Sequence, residues 1–80
     1  MDKKELLENI EKVHTTKMGI VRIKKNLELD TDDIVNFCKW LIKKDECFVH
    51  KKGKNYYCIT DNYTITINSY SFTIITAHKS

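Results

Sequence analysis

The stretch CFVHKKGKNYYCITDNYTITINSYSFTIITAHK, Cys47 to Lys79, decides the fold. After Glu46 the apolar spacing changes from helical to alternating or β-branched, the pattern of half-buried strands. Cys47–Lys51 and Asn55–Thr60 flank Lys52-Gly53-Lys54, a hairpin signal because glycine supplies the positive φ of a tight turn. If Lys52-Gly53 forms a two-residue turn, Cys47 lies opposite Cys58. Asp61-Asn62 makes the next turn. In Tyr63–Asn68 the residues Tyr63, Ile65 and Ile67 share one face, and Thr64, Thr66 and Asn68 the other. Asn68–Ser71 turns the chain again before a last strand, Phe72 to His78. Four strands, about 47–51, 55–60, 63–68 and 72–78, are therefore expected as an antiparallel meander.

The first half reads as helix. Leu6, Leu7, Ile10 and Val13 fall on one face at helical spacing and predict a helix over Asp2–His14. Thr15 and Thr16 interrupt it and supply an N-cap for a second helix, Lys17–Leu27, striped by Ile20, Ile23 and Leu27. Asp30 and Thr31 are candidate caps for a third, Asp32–Lys44, whose stripe of Ile34, Val35, Cys38, Leu41 and Ile42 is widened by Phe37 and Trp40. Helices followed by strands define an α+β fold: three N-terminal helices packed on one face of a four-stranded antiparallel β-meander. Eighty residues suit a single domain, 1–80, with room for a small core and one surface site.

Composition narrows the function classes. Hydrophobic residues at 41% and charged residues at 31% argue against disorder. A net charge of +3 is a mild bias toward anionic partners, concentrated in Lys17–Lys25, which holds four cations and no acid, and in Lys51, Lys52 and Lys54. No apolar run approaches the roughly 20 residues that span a bilayer. The N-terminal segment is amphipathic and not signal-like. A cytoplasmic location is expected, with no membrane partner and with Cys38, Cys47 and Cys58 as thiols. The cysteines and histidines lack zinc-ligand spacing, and phosphate loops and dinucleotide fingerprints are absent, so no metal and no cofactor is expected.

Three histidines remain. His14 is expected on the first helix's apolar face at its C-terminal end, and His50 beside the lysine turn at the surface. By period-two geometry His78 shares a strand face with Thr76, Ile74 and Phe72. RNA cleavage by 2′-hydroxyl attack needs a base, an acid and a cation to stabilise the phosphorane charge. Histidine suits either proton role, Arg22, Lys25 or Lys79 the electrostatic one, and Thr76 or Tyr70 can orient a phosphate. Aromatic residues beside cations also suggest a stacking platform for single-stranded RNA, with Tyr56 and Tyr57 on opposite faces, one in the core and one outward.

The runs Val13–Thr16, Gly19–Leu27, Ile65–Asn68 and Thr73–Lys79 resemble a bacterial family of uncharacterised small proteins, along nearly the whole chain. More distantly, helices followed by an antiparallel sheet with a closing IITAH strand resemble the barnase–EndoU–colicin–RelE superfold of metal-independent RNases and toxins. That resemblance implies roles for Thr76 and His78, with His14 and Arg22 as companions, although no general-base glutamate stands on a predicted strand. The leading expectation is a metal-independent, toxin-type endoribonuclease in which His78 and His14 exchange protons. Arg22 and Lys25 would neutralise the phosphate and Thr76 would position it, with Tyr70 and Lys79 at the substrate. The alternatives are a non-catalytic RNA- or protein-binding module and a structural homodimer paired through a sheet edge. Candidate partners are thus RNA, a protein partner or antitoxin, and a second copy of the chain.

Overall fold

The computed structural model describes residues 2–79. The elements follow in the expected order: helices α1 (Asp2–Glu8), α2 (Lys17–Leu27) and α3 (Ile34–Lys43), then strands β1 (Phe48–Lys52), β2 (Asn55–Ile59), β3 (Tyr63–Asn68) and β4 (Ile74–Lys79). The strands form one antiparallel sheet in the order β1-β2-β3-β4. This is the α+β architecture expected. None of the described helices is long and apolar enough to cross a membrane.

Alternation along the strands sets the layers. Val49, Tyr56, Cys58, Ile65, Ile67, Ile74 and Ala77 are buried against Leu6, Ile23, Leu27, Ile34, Cys38, Leu41 and Ile42 of the helices. Tyr56 sits at 0% exposure, with its hydroxyl donating to the Glu5 carboxylate of α1. The chain caps α2 as expected, the Thr16 hydroxyl accepting from Gly19 N–H at 3.0 Å. Asp33 is the N-cap of α3 in place of Asp30 or Thr31, and Thr31 instead receives the Asp33 N–H at 3.0 Å.

Four details depart from the sequence reading. The first helix ends at Glu8 and is followed by a 3₁₀ turn, Ile10–Lys12, so His14 is not helical. It lies in extended backbone bridged in parallel to Thr73, with His14 N–H donating to Phe72 C=O and Ile74 N–H to His14 C=O. The β1–β2 turn is centred on Gly53-Lys54, because Lys52 pairs with Asn55; Val49, not Cys47, therefore stands opposite Cys58. Phe72 lies before β4 with φ of 59°, a left-handed conformation that no strand residue adopts. Finally, the β3–β4 register shifts between Thr66 and Ile67, leaving Ile75 as the extra residue of a bulge. The bulge resets the alternation: Ile74 and Ala77 both point into the core, and His78 lies on the face opposite Ile74 rather than beside it.

Both sheet edges are covered by polar contacts. Along β4 the Thr15 hydroxyl donates to Ile74 C=O at 3.0 Å and Asn26 of α2 to Ala77 C=O at 3.3 Å. Along β1 the Asp2 carboxylate accepts from Lys51 N–H at 2.8 Å. Gly19 is buried where a Cβ would strike the Thr15 hydroxyl. Gly19→Ala should therefore destabilise the protein by about 1–3 kcal/mol despite alanine's better helix propensity. Urea denaturation of Thr15→Ala, Gly19→Ala and the double variant checks this: removing the hydroxyl should recover at least about 0.5 kcal/mol as coupling.

The three cysteines are free and buried. Burial pushes the Cys38 thiol up to about 12 from its ordinary 9.0. The Cys58 thiol, hydrogen-bonded to Cys47, is likewise raised by that contact and by burial. The native state thus keeps protons that the unfolded chain releases, so this stability is complete below pH 9 and declines as pH rises toward 12. The slope should be at most about 1.4 kcal/mol per pH unit per thiol. Urea midpoints from pH 8 upward should fall less steeply for Cys38→Ala than for the parent chain.

Candidate functional site

Covering one sheet face with helices leaves the other bare, and its residues follow from the strand register. One row across the sheet runs Phe48, Ile59, Thr64, His78; the next runs His50, Tyr57, Thr66, Thr76; the third holds Lys52, Asn55 and Asn68. Phe48 is 63% exposed, a large cost for a ring with no partner above it. Its neighbours continue the aromatic surface. The Phe48 and His50 ring centroids are 5.5 Å apart, and His50 stacks on Tyr57 at 5.4 Å with an interplanar angle of 26°. His50 is held by this stacking, since its enclosed Nδ1 has no hydrogen-bond partner.

Beside the rings lies a shallow depression of about 360 Å³ bounded by His50, Lys52, Tyr57, Ile59 and Thr64. Its electrostatics are one-signed. The chain has eleven acids, and all lie in the helices, loops and turns; no strand holds one. Lys52, Lys54 and the two histidines His50 and His78 are the basic groups along this face and its β1–β2 turn, Lys51 lying on the opposite face. A flat aromatic surface rimmed by cations can stack planar rings and attract anions.

The residues singled out from sequence fall at separate places. Thr76 and His78 lie on the bare face, Thr76 half-buried across from Thr66 and His78 exposed across from Thr64. His14 is at the opposite end of β4, at its outer edge. Its Nδ1–H donates to Lys12 C=O at 2.8 Å, which leaves Nε2 to accept the Thr73 hydroxyl at 3.2 Å. From Thr73 to His78 the strand spans roughly 15 Å, so the two histidines do not flank one phosphate. Arg22 and Lys25 are exposed on α2, Arg22 one turn before Asn26 and hence on the flank nearest the β4 edge. Lys79 is paired with Glu28 at 3.1 Å, and Tyr70 projects from the β3–β4 turn at 74% exposure. Of the seven, only Thr76 and His78 share a surface with the ring stack.

Sequence reasoning put Tyr56 and Tyr57 on opposite faces without saying which was inward, and the structure buries Tyr56; it passed over Phe48 and read His50 as plain surface. The signal was present in the period-two run Phe48-x-His50-x-Lys52, answered across the hairpin by Tyr57-x-Ile59. No group of three or more potential metal ligands occurs among the described residues.

Architecture and site thus define a small α+β domain with one helix-covered and one aromatic, cation-rimmed sheet face. The chain belongs to the family described as protein of unknown function DUF3781, whose model matches residues 7–78. No curated protein and no solved structure matches it.

The His14–Thr73 contact ties the segment before α2 to β4. Thr73→Val and His14→Ala should each cost about 0.5–1.5 kcal/mol, as for a single net hydrogen bond. A double-mutant cycle by urea denaturation should return a coupling above about 0.5 kcal/mol.

Proposed function

We propose that this protein is a non-catalytic binding module for single-stranded RNA, which it holds on the bare face of its sheet. The ring stack Phe48–His50–Tyr57, with Phe48 exposed and His50 and Tyr57 half-buried beside Lys52 and Lys54, carries this reading. Four-stranded sheets that present aromatic side chains are a recurrent platform for unstacked bases, because every base offers a π-face. Phe48 and Tyr57 supply stacking surface. Lys52 and Lys54 meet the phosphates, and the hydroxyls of Thr64 and Thr76 and the exposed His78 extend the polar rim. The absence of any acid from the strands supports an anionic ligand over an acidic-rimmed protein contact. A toxin-type nuclease draws less support, since His14 and His78 stand at opposite ends of β4.

Fluorescence anisotropy with a labelled single-stranded RNA oligonucleotide, in EDTA, tests the proposal. Phe48→Ala and Tyr57→Ala should each weaken binding by about 5- to 150-fold, the range of roughly 1–3 kcal/mol per stacked base. Lys52→Ala should reduce the salt slope by about 0.7, the value for one phosphate of a single strand. The RNA should be recovered intact. Absence of binding at low salt, or equal binding by the Phe48 and Tyr57 variants, would overturn the assignment. So would concentration-dependent sedimentation abolished by Phe48→Ala, which would give the face to a second copy. Cleavage lost in His78→Ala would return the catalytic reading.

A further inference from the structure

A second aromatic cluster lies away from the bare sheet face and is independent of the reading above. Phe37 and Trp40 sit on one flank of α3, and Tyr63 at the start of β3 meets Phe37 edge-on, the centroids 5.6 Å apart and the planes at 87°. Trp40 lies 5.9 Å from Phe37. The sequence pattern assigns Trp40 to the core stripe, yet the indole is 55% exposed. The three rings face a cleft of about 350 Å³ between the end of α3 and the β2–β3 turn, where Glu46 and Asp61 add carboxylates. Crossed aromatic faces with nearby acids form the kind of surface that attracts a poorly hydrated cation.

The cleft already holds one. The Lys44 ammonium stands over the Trp40 ring, 4.2 Å from its centroid, with Glu46 Oε1 at 3.5 Å. A lysine there gives up part of its hydration and side-chain freedom, and the ring face and carboxylate offset that loss. The position is therefore favourable to an ammonium group. The lysine fills it from the chain itself, on a flexible stem that can swing into water.

We propose that this cleft is a binding site for a small quaternary ammonium compound, with Lys44 as its resident competitor. The ligand's methyl groups lie on Trp40 and the other rings, its charge faces Asp61 and Glu46, and Lys44 is displaced to solvent. A quaternary ammonium gains more from the rings than a primary one, because it has no N–H to leave unpaired and is only weakly hydrated. Displacing an intramolecular occupant lowers apparent affinity by the fraction of time the site is filled.

Trp40 is the sole tryptophan in the chain, so its fluorescence reports this cleft alone. Titration with choline chloride, against sodium chloride at matched ionic strength, should change the emission saturably in the millimolar range. The neutral alcohol in which a tert-butyl group replaces trimethylammonium should not. Lys44→Met, which removes the resident ammonium, should tighten choline binding several-fold, and Glu46→Gln combined with Asp61→Asn should weaken it several-fold. The indole N–H resonance of Trp40 in a proton–nitrogen correlation spectrum should move with the same affinity, and unchanged spectra elsewhere show that each variant is folded. No saturable response in either the parent chain or Lys44→Met overturns the proposal. An equal response to the neutral alcohol, or weaker binding by Lys44→Met, overturns it as well.

Discussion

Tyr56 and Tyr57 are neighbours in the chain and opposites in the structure, and the constraint that separates them governs the rest. A strand sends successive side chains to opposite faces of its sheet. Three short helices in an 80-residue chain cover only one of those faces. Tyr56 is sealed beneath them at 0% exposure, its hydroxyl donating to the Glu5 carboxylate. Tyr57 is left on the bare side, stacked on His50. A domain this small buries roughly 60% of the surface of its unfolded chain. The uncovered face is the geometric remainder, and its aromatic and cationic residues give that remainder a chemical character.

The edges of the sheet are handled differently from its faces. An open edge is a row of unpaired backbone groups and a template for pairing with another chain. Here the segment around His14 bridges to Thr73, Thr15 and Asn26 reach β4 carbonyls, and Asp2 takes the Lys51 N–H. Edge-to-edge association would first have to displace these contacts. The Thr15 side chain that reaches Ile74 also explains Gly19: it lies against the first turn of α2 and leaves no room for a Cβ there. Recognition is therefore more accessible to the faces and clefts, where the exposed rings Phe48 and Trp40 lie, than to the strand edges.

Much of the fold was legible locally. The switch from helical to period-two spacing after Glu46 placed the strands, and β3 matches its predicted bounds, Tyr63–Asn68. The Thr16 cap and the apolar stripes of α2 and α3 were equally readable. The misses have specific causes. Phe72 looks like a strand residue, but its positive φ turns the chain while its ring packs on Tyr56, with centroids 6.3 Å apart. A β-bulge carries no reliable signature in a β-branched run, so Ile74 and His78 were assigned to one face. His14 continued a helical pattern that the 3₁₀ turn at Ile10–Lys12 ends. The candidate site was less legible, because the type of a residue says nothing of which others converge on it. His14 and His78 are the chemical pair a nuclease would use, and only the path of β4 holds them apart.

The amino-acid sequence by itself determined the order and type of the elements, the inward stripe of each helix, the placement of Tyr56 and Tyr57 on opposite faces and the absence of acids from the strands. These follow from local periodicity, capping chemistry and composition, which act within a few residues of chain. Tertiary structure alone decided which face stays bare, where the bulge at Ile75 resets the strand, that Phe48, His50 and Tyr57 form one stack, and that Lys44 stands on Trp40. Those outcomes depend on strand register and helix packing between residues distant in sequence. No local preference specifies them, because each is set by which distant surfaces exclude water together.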